Sequence, residues 1–116
     1  MKITQKEIGE YLLEIGFNPS YKGFYCLGVA IQYCLNLTDE ELQKVHIVRD
    51  VYEYVSECVR QSTRSVEHCI RNSIENLFDT NAANVFENIT SFKSGKVSNK
   101  TCIVYLTMKL RNKYNV

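Results

Sequence analysis

The sequence predicts an all-α domain, a six-helix bundle (roughly 6–7 helices) built around a central helix-turn-helix at about residues 51–77. Three observations predict it. Helix-start signals recur, in Thr4-Gln5-Lys6-Glu7 and again in Thr38-Asp39-Glu40-Glu41; in each the threonine hydroxyl can take an orphan first-turn amide while the glutamate reaches back. Apolar residues return at three- and four-residue spacing through most of the chain, the period of an amphipathic helix. The chain has one proline and five glycines, too few for a turn-dense β fold. With 116 residues, 45% hydrophobic and 23% charged, it has the balance and size of one globular domain. No linker divides it, and residues 1–116 are read as a single domain.

The elements follow in order. After the first capping box, Ile8, Leu12, Leu13 and Ile15 give one apolar face, and Gly16 suits the left-handed residue that ends such a helix. Asn18-Pro19-Ser20 is a turn. A second helix over 23–35 turns Phe24, Leu27, Ala30, Ile31 and Cys34 inward; it is apolar round much of its circumference, so it belongs at the centre of the core. The second capping box opens a short helix ending near Val45, and another runs over 47–59. Ser62 or Thr63 caps a long helix to about Phe78, with Val66, Cys69, Ile70, Ser73, Ile74 and Leu77 as its inner stripe. Residues 81–89 read as a short helix and 91–98 as a polar, basic loop. Asn99 is placed to cap a last helix with Cys102, Ile103, Leu106 and Leu110 inward.

Several function classes receive no support. No run of about 18 apolar residues is present, so no membrane partner is expected. The first residues lack the apolar stretch of a secretory signal, which makes a cytoplasmic location the expectation. The five cysteines are odd in number, no two are spaced as metal ligands, and each sits among apolar residues, so all five are expected to be small buried thiols. His46 and His68 begin no metal-binding or catalytic spacing, and no Gly-rich phosphate loop or Ser/His/Asp set is visible. Hence no cofactor, no metal, no small-molecule substrate and no enzyme activity are expected. The scattered tyrosines, Tyr21, Tyr25 and Tyr33 among them, read as core rims. The acids at Glu7, Glu10, Glu14, Glu40 and Glu41 read as solvated helix faces.

The charge distribution says more than the net charge of +1. Up to Val48 there are four lysines against six acids; from Lys93 onward there are six basic residues and no acid. One end of the molecule is therefore basic, as a phosphate-facing surface is, although a solubilising tail has the same composition.

The helix-turn-helix rests on spacing. Two steeply crossing helices need a small residue at the crossing and apolar residues on both sides. Val55, Ser56, Val59, Val66, Cys69 and Ile70 supply that set, with Ser56 at the approach and Arg60-Gln61-Ser62 as the turn. The outward face of the second helix carries Arg64, Ser65, Glu67, His68, Arg71, Asn72 and Glu75. Arg, Asn, His and Glu can read base edges, and Ser62, Thr63 and Ser65 can hold phosphates. The N-terminal turns of this helix would enter the major groove of double-stranded DNA. Lys93, Lys96, Lys100 and the C-terminal Lys109, Arg111 and Lys113 would hold the backbone. The same pattern also fits an ordinary solvated bundle helix.

Three stretches carry a family resemblance. Glu14-Ile15-Gly16 with Lys22-Gly23-Phe24 and then Ala30-Ile31, the run Val66-Glu67-His68-Cys69-Ile70-Arg71-Asn72-Ser73-Ile74-Glu75, and Asn99 with Lys109-Leu110-Arg111 together resemble the C-terminal effector domains of the sporulation-initiation response regulators of endospore-forming Firmicutes. The similarity runs from about Ile8 to Tyr114, with a few extra residues near 37–47. It implies a six-helix fold with a helix-turn-helix in the middle, transcription regulation through a short promoter box, and two copies docking head-to-tail on adjacent boxes. Glu67 and Arg71 match polar residues on that family's DNA-facing surface. Ser65 and His68 stand where the family has arginines, and Asn72 where it has a histidine. The alternative reading is a degenerate paralogue that keeps the fold as a protein-interaction or dimerisation module, the acidic face of the first helix being a candidate contact.

Overall fold

The computed structural model describes residues 2–80 and 97–115. Among them there are six α-helices, one π-helical turn and no strand. The helices are α1 (Gln5–Ile15), α2 (Lys22–Leu35), α3 (Asp39–Lys44), α4 (Glu53–Val59), α5 (Thr63–Phe78) and α6 (Asn99–Tyr114); the π-helical turn (Ile47–Tyr52) leads into α4. The fold class is the one expected. The helix expected at 81–89 and most of the basic loop at 91–98 lie outside the described residues.

Both capping boxes form. The Thr4 and Thr38 side chains accept from the Glu7 and Glu41 amides, and each glutamate reaches back to the cap amide. Gly16 ends α1 at φ 119°, where its amide donates to the Leu12 carbonyl; a side chain is disfavoured in that region. Asn18 Oδ1 then accepts from the Ser20 amide at 3.0 Å, an Asx turn that redirects the chain into α2. The helix expected over 47–59 is continuous, but its first part is wound as a π turn. His46 caps it, Nδ1 accepting from Arg49 N–H at 3.1 Å, while Asp50 Oδ2 accepts from His46 N–H at 3.0 Å. That backbone hydrogen bond, chiefly, holds the Asp50 carboxyl below its ordinary range.

The core is organised round α2, which packs most extensively on α5, then on α6 and α1. Cys26, Leu27, Gly28, Val29, Ala30, Ile31 and Cys34 are buried on most of its circumference. The α2–α5 contact is backbone-close. A Cβ on Gly23 would press into the Cys69 carbonyl, 2.8 Å from its carbon and 2.6 Å from Ser73 Oγ. The Ser73 hydroxyl is buried there with no hydrogen-bond partner among the described residues, so only its small size explains its presence at that point.

The C-terminus of α2 is closed from across the fold. The Arg111 guanidinium of α6 donates to the Cys34, Leu35 and Leu37 carbonyls, and its Nη1 meets Asp39 Oδ1 at 2.8 Å. The first two are among the carbonyls a helix end leaves without intrahelical partners, the third belongs to the connection to α3, and a cation there also opposes the helix dipole. Arg111 is only 12% exposed. Its expected place in a DNA-backbone clamp is thereby corrected: the planar donor fork is already spent on the fold. Lys113 likewise turns to α1, 3.4 Å from Glu14 Oε2, and Lys109 lies over the Tyr105 ring.

Four further expectations are revised. Leu13 is 50% exposed, because it lies a quarter-turn off the Ile8–Leu12–Ile15 stripe. Cys58 is exposed and Cys69 half-exposed, while Cys26, Cys34 and Cys102 are buried. Burial pushes those three thiols up to about 11, 12 and 12, so they stay protonated and unreactive at neutral pH. Ser98, not Asn99, caps α6, its Oγ accepting from Thr101 N–H at 3.1 Å. Tyr25 is 58% exposed and stands clear of the core, whereas Tyr33 stacks obliquely on Tyr54 with centroids 5.1 Å apart.

Two stability measurements check the packing. Gly23→Ala should destabilise the domain by about 3 kcal/mol, the upper end of overpacking effects, because backbone must move; urea denaturation reads it. Arg111→Met keeps the stem and removes the donors, and should lose about 2–4 kcal/mol through the unpaired carbonyls. A Tm equal to that of the unsubstituted chain would refute this capping role.

Candidate nucleic-acid interface

The helix-turn-helix is assembled from α4, a tight turn and α5. Val55 of α4 and Val66 and Ile70 of α5 are fully buried, with Val59 packed at the edge. Ser56 stands at the approach as expected, and its hydroxyl donates to the Gln61 carbonyl. The turn is closed by Arg60 in the left-handed conformation, φ 58° and ψ 47°, its amide donating to the Ser56 carbonyl. A left-handed, non-glycine residue was not foreseen; Arg60 ends α4 as glycine often ends helices. Ser62 then caps α5, accepting from Ser65 N–H at 3.1 Å.

On α5 the buried side is Val66, Ile70, Ser73, Ile74 and Leu77. At about 100° per residue, that stripe puts Arg64, His68, Arg71, Asn72 and Glu75 on the opposite half, and all five are exposed. Thr63, Ser65 and Glu67 are half-buried at the flanks. Ser65 is engaged locally, its hydroxyl donating to Gln61 Oε1 at 2.8 Å. Arg71 is ion-paired with Glu67 one turn earlier. The two expected contacts at Lys93 and Lys96 lie outside the described residues.

The position of α5 is set from behind by a residue whose role the sequence reading missed. Asn99 Nδ2 donates to the Glu67 carbonyl at 3.1 Å and to the Tyr52 phenol at 2.9 Å. One amide thus joins the start of α6, the π turn and the middle of α5. Burial raises the Tyr52 phenol above its ordinary value, with the Asn99 bond opposing, so it remains a neutral partner. Nothing in the sequence marks this contact, since the three residues are far apart along the chain.

This site exposes short polar and cationic side chains along one helix, between an N-terminal turn capped by Ser62 and a packed back. It can donate and accept in a groove. It offers no nucleophile with a base beside it. The other notable hollow, a groove of about 480 Å³ lined by Tyr33, Leu37, Glu40, Glu41, Lys44, Val45 and Asp50, has its acids already committed: Glu41 to the Thr38 amide, Glu40 to Lys44 and Asp50 to the His46 amide. Among the described residues no group of three or more His, Cys, Asp or Glu could hold a metal ion, and no helix is long and apolar enough to cross a membrane.

Residues 8–110 match the family model described as sporulation initiation factor Spo0A C terminal. The chain belongs to that family. It is a DNA-binding effector domain of the sporulation-regulator type, and the family is one of transcription-factor domains rather than enzymes. A comparison with curated proteins found no match. The Spo0A C-terminal match runs from Ile8 in α1 to Leu110 in α6, so it includes all of α2 and the whole helix-turn-helix and stops one residue before Arg111.

Proposed function

We propose that this Spo0A C-terminal domain is a sequence-specific transcription regulator that lays α5 in the major groove of a promoter box. The observation that carries the reading is the exposed half of α5, where Arg64, His68, Arg71, Asn72 and Glu75 stand clear of the packed elements among the described residues. Arg64 lies in the first turn and is the side chain best placed to reach a guanine edge; Asn72 suits an adenine. Ser62, Thr63 and Ser65 frame the helix N-terminus beside phosphates. Glu67 holds Arg71 in place and can itself accept from a cytosine amine. Lys93 and Lys96 supply backbone contacts from outside the described residues. Two copies docking head-to-tail on adjacent boxes, and action in the cytoplasm, complete the proposal.

The reading makes the box a property of this chain. Ser65, His68 and Asn72 face the groove where the resembled family has Arg, Arg and His, so a different preferred sequence is expected. Selection of bound duplexes from a random library identifies it. A domain that retains no duplex, yet forms a stable dimer in solution, would instead be an interaction module.

Two measurements follow on the selected duplex. If about six phosphates are neutralised, log K falls against log salt with a slope of about −5, and anisotropy titrations from low to moderate salt will read it; a flat response rejects a DNA interface. Arg64→Ala and Arg71→Ala should each weaken binding to the selected box by about 5–150-fold, equivalent to roughly 1–3 kcal/mol, with a much smaller loss on scrambled duplex. Equal losses on both duplexes would make them phosphate contacts.

A further inference from the structure

The chain contains two histidines, and the fold uses them in opposite ways. His46 is a structural cap whose Nδ1 accepts a backbone hydrogen bond, which requires the unprotonated ring nitrogen. His68 is exposed at the centre of the outward half of α5, one turn beyond Arg64 and next to Arg71 and Asn72 around the helix. The nearest acid in sequence, Glu67, is engaged by Arg71; Glu75 lies two turns further on. The elements packed against α5 are α2, α4, α6 and the π turn. Among the charged or titratable groups on those elements and on the turn before α5 are Lys22, Tyr52, Glu53, Glu57, Arg60 and Lys100, three cations and two anions with one neutral phenol.

We propose that His68 makes DNA binding proton-linked: its imidazole is protonated in the complex, and the domain binds more tightly as pH falls through the imidazole range. The inference rests on α5 being the DNA-reading helix. A neutral imidazole offers one donor and one acceptor; an imidazolium offers two donors and a charge. The partners in a groove are mainly acceptors, guanine N7 and O6 and the phosphate oxygens. A nearby polyanion favours the protonated ring and raises its pKa in the complex. An arginine at this place would make the same contact at every pH; a histidine makes it conditional.

The sign follows from linkage. The pKa in the complex exceeds that in the free domain, so the extra affinity is complete below the free value and lost as pH rises through the bound one. An ordinary imidazole titrates near about 6.5, which puts the window around neutrality. One proton taken up changes log K by at most one per pH unit, so affinity changes by at most about tenfold per unit.

The test uses a duplex selected from a random library, at constant ionic strength, between about pH 5.5 and 8. His46→Asn is placed in every variant, since asparagine keeps a capping acceptor and does not titrate. Anisotropy with H46N should show affinity falling about five- to tenfold across the window. Adding His68→Gln should flatten the profile at the weak end, and His68→Arg should flatten it at the tight end. The His68 ring proton followed by NMR should titrate at higher pH in the complex than in the free domain. A pH slope that survives H68Q, or an unshifted His68 midpoint in a complex that forms, overturns the proton linkage while leaving α5 as the reading helix. No binding by any variant at any pH overturns the underlying reading and the linkage with it.

Discussion

The fold depends on the approach of α2 to α5 at Gly23. Two helices pack at 8–10 Å when ordinary side chains separate them. Here one residue has no side chain, and the Cys69 carbonyl of α5 occupies the space a Cβ would need. Everything inward on both helices then falls into register. Leu27, Ala30 and Ile31 meet Val66, Ile70 and Leu77 in one core, and all six are fully buried. Since α5 is held by its inner face, its outer face is presented without support from any loop among the described residues. The outer face of α5 is held in place because its reverse side is the centre of the domain.

The last helix then locks both of those partners. Its N-terminal end ties the Glu67 carbonyl and Tyr52 through Asn99, and its C-terminal end caps α2 through Arg111. The buried stripe between these two bonds, Cys102, Ile103, Leu106, Thr107 and Leu110, fills the core; the Thr107 hydroxyl is satisfied by the Ile103 carbonyl at 2.7 Å. A helix that composition alone marks as a basic tail is therefore a brace. Its charges divide by position along the helix. Arg111 and Lys113 face α2 and α1, whereas Lys100 stands in the first turn, next to the Asn99 that bonds the Glu67 carbonyl of α5.

Local chemistry was legible in the sequence because it depends on neighbours three or four residues away. The Thr4 and Thr38 boxes, Gly16 and the inner stripe of α5 all follow from short-range spacing, and the structure has them. The helix-turn-helix was legible for the same reason, its Val55, Ser56, Val66 and Ile70 falling within one supersecondary unit. Contacts made at a distance were not. Arg111 reads as one more surface cation until the end of α2, over seventy residues earlier, is brought against it. Asn99 reads as a helix cap, and its amide turns out to join three elements. Cys58 reads like Cys102, because an apolar neighbourhood in sequence does not distinguish the two sides of a short helix. The π turn at Ile47–Tyr52 has no period of its own to read; it looks like the start of α4.

These two kinds of information bear differently on function. The inner stripe of α5 determines that the helix exists and where it sits. The outer half contributes little to folding: exposed substitutions away from caps and packing usually move stability by no more than about 0.5 kcal/mol. Arg64, His68 and Asn72 can therefore change while Val66, Ile70 and Leu77 stay fixed, with no energetic link forcing them together. The family match, over residues 8–110, spans the buried and the exposed residues of α5 alike. In the proposed reading, DNA sequence preference rests on the outward set, where this chain has an exposed histidine and asparagine and a half-buried serine. A chain can thus inherit the way a helix is offered to the groove without inheriting which bases it reads. The two arginines that remain on that face are unequal in the same physical sense. Arg71 is drawn toward Glu67 and carries a neutralised charge, whereas Arg64, in the first turn beside the positive end of the helix dipole, has no described ion-pair partner among the described residues. In the proposed reading, the pull of α5 on a polyanion thus comes first from its N-terminal turn, the end at which helices of this motif enter the groove.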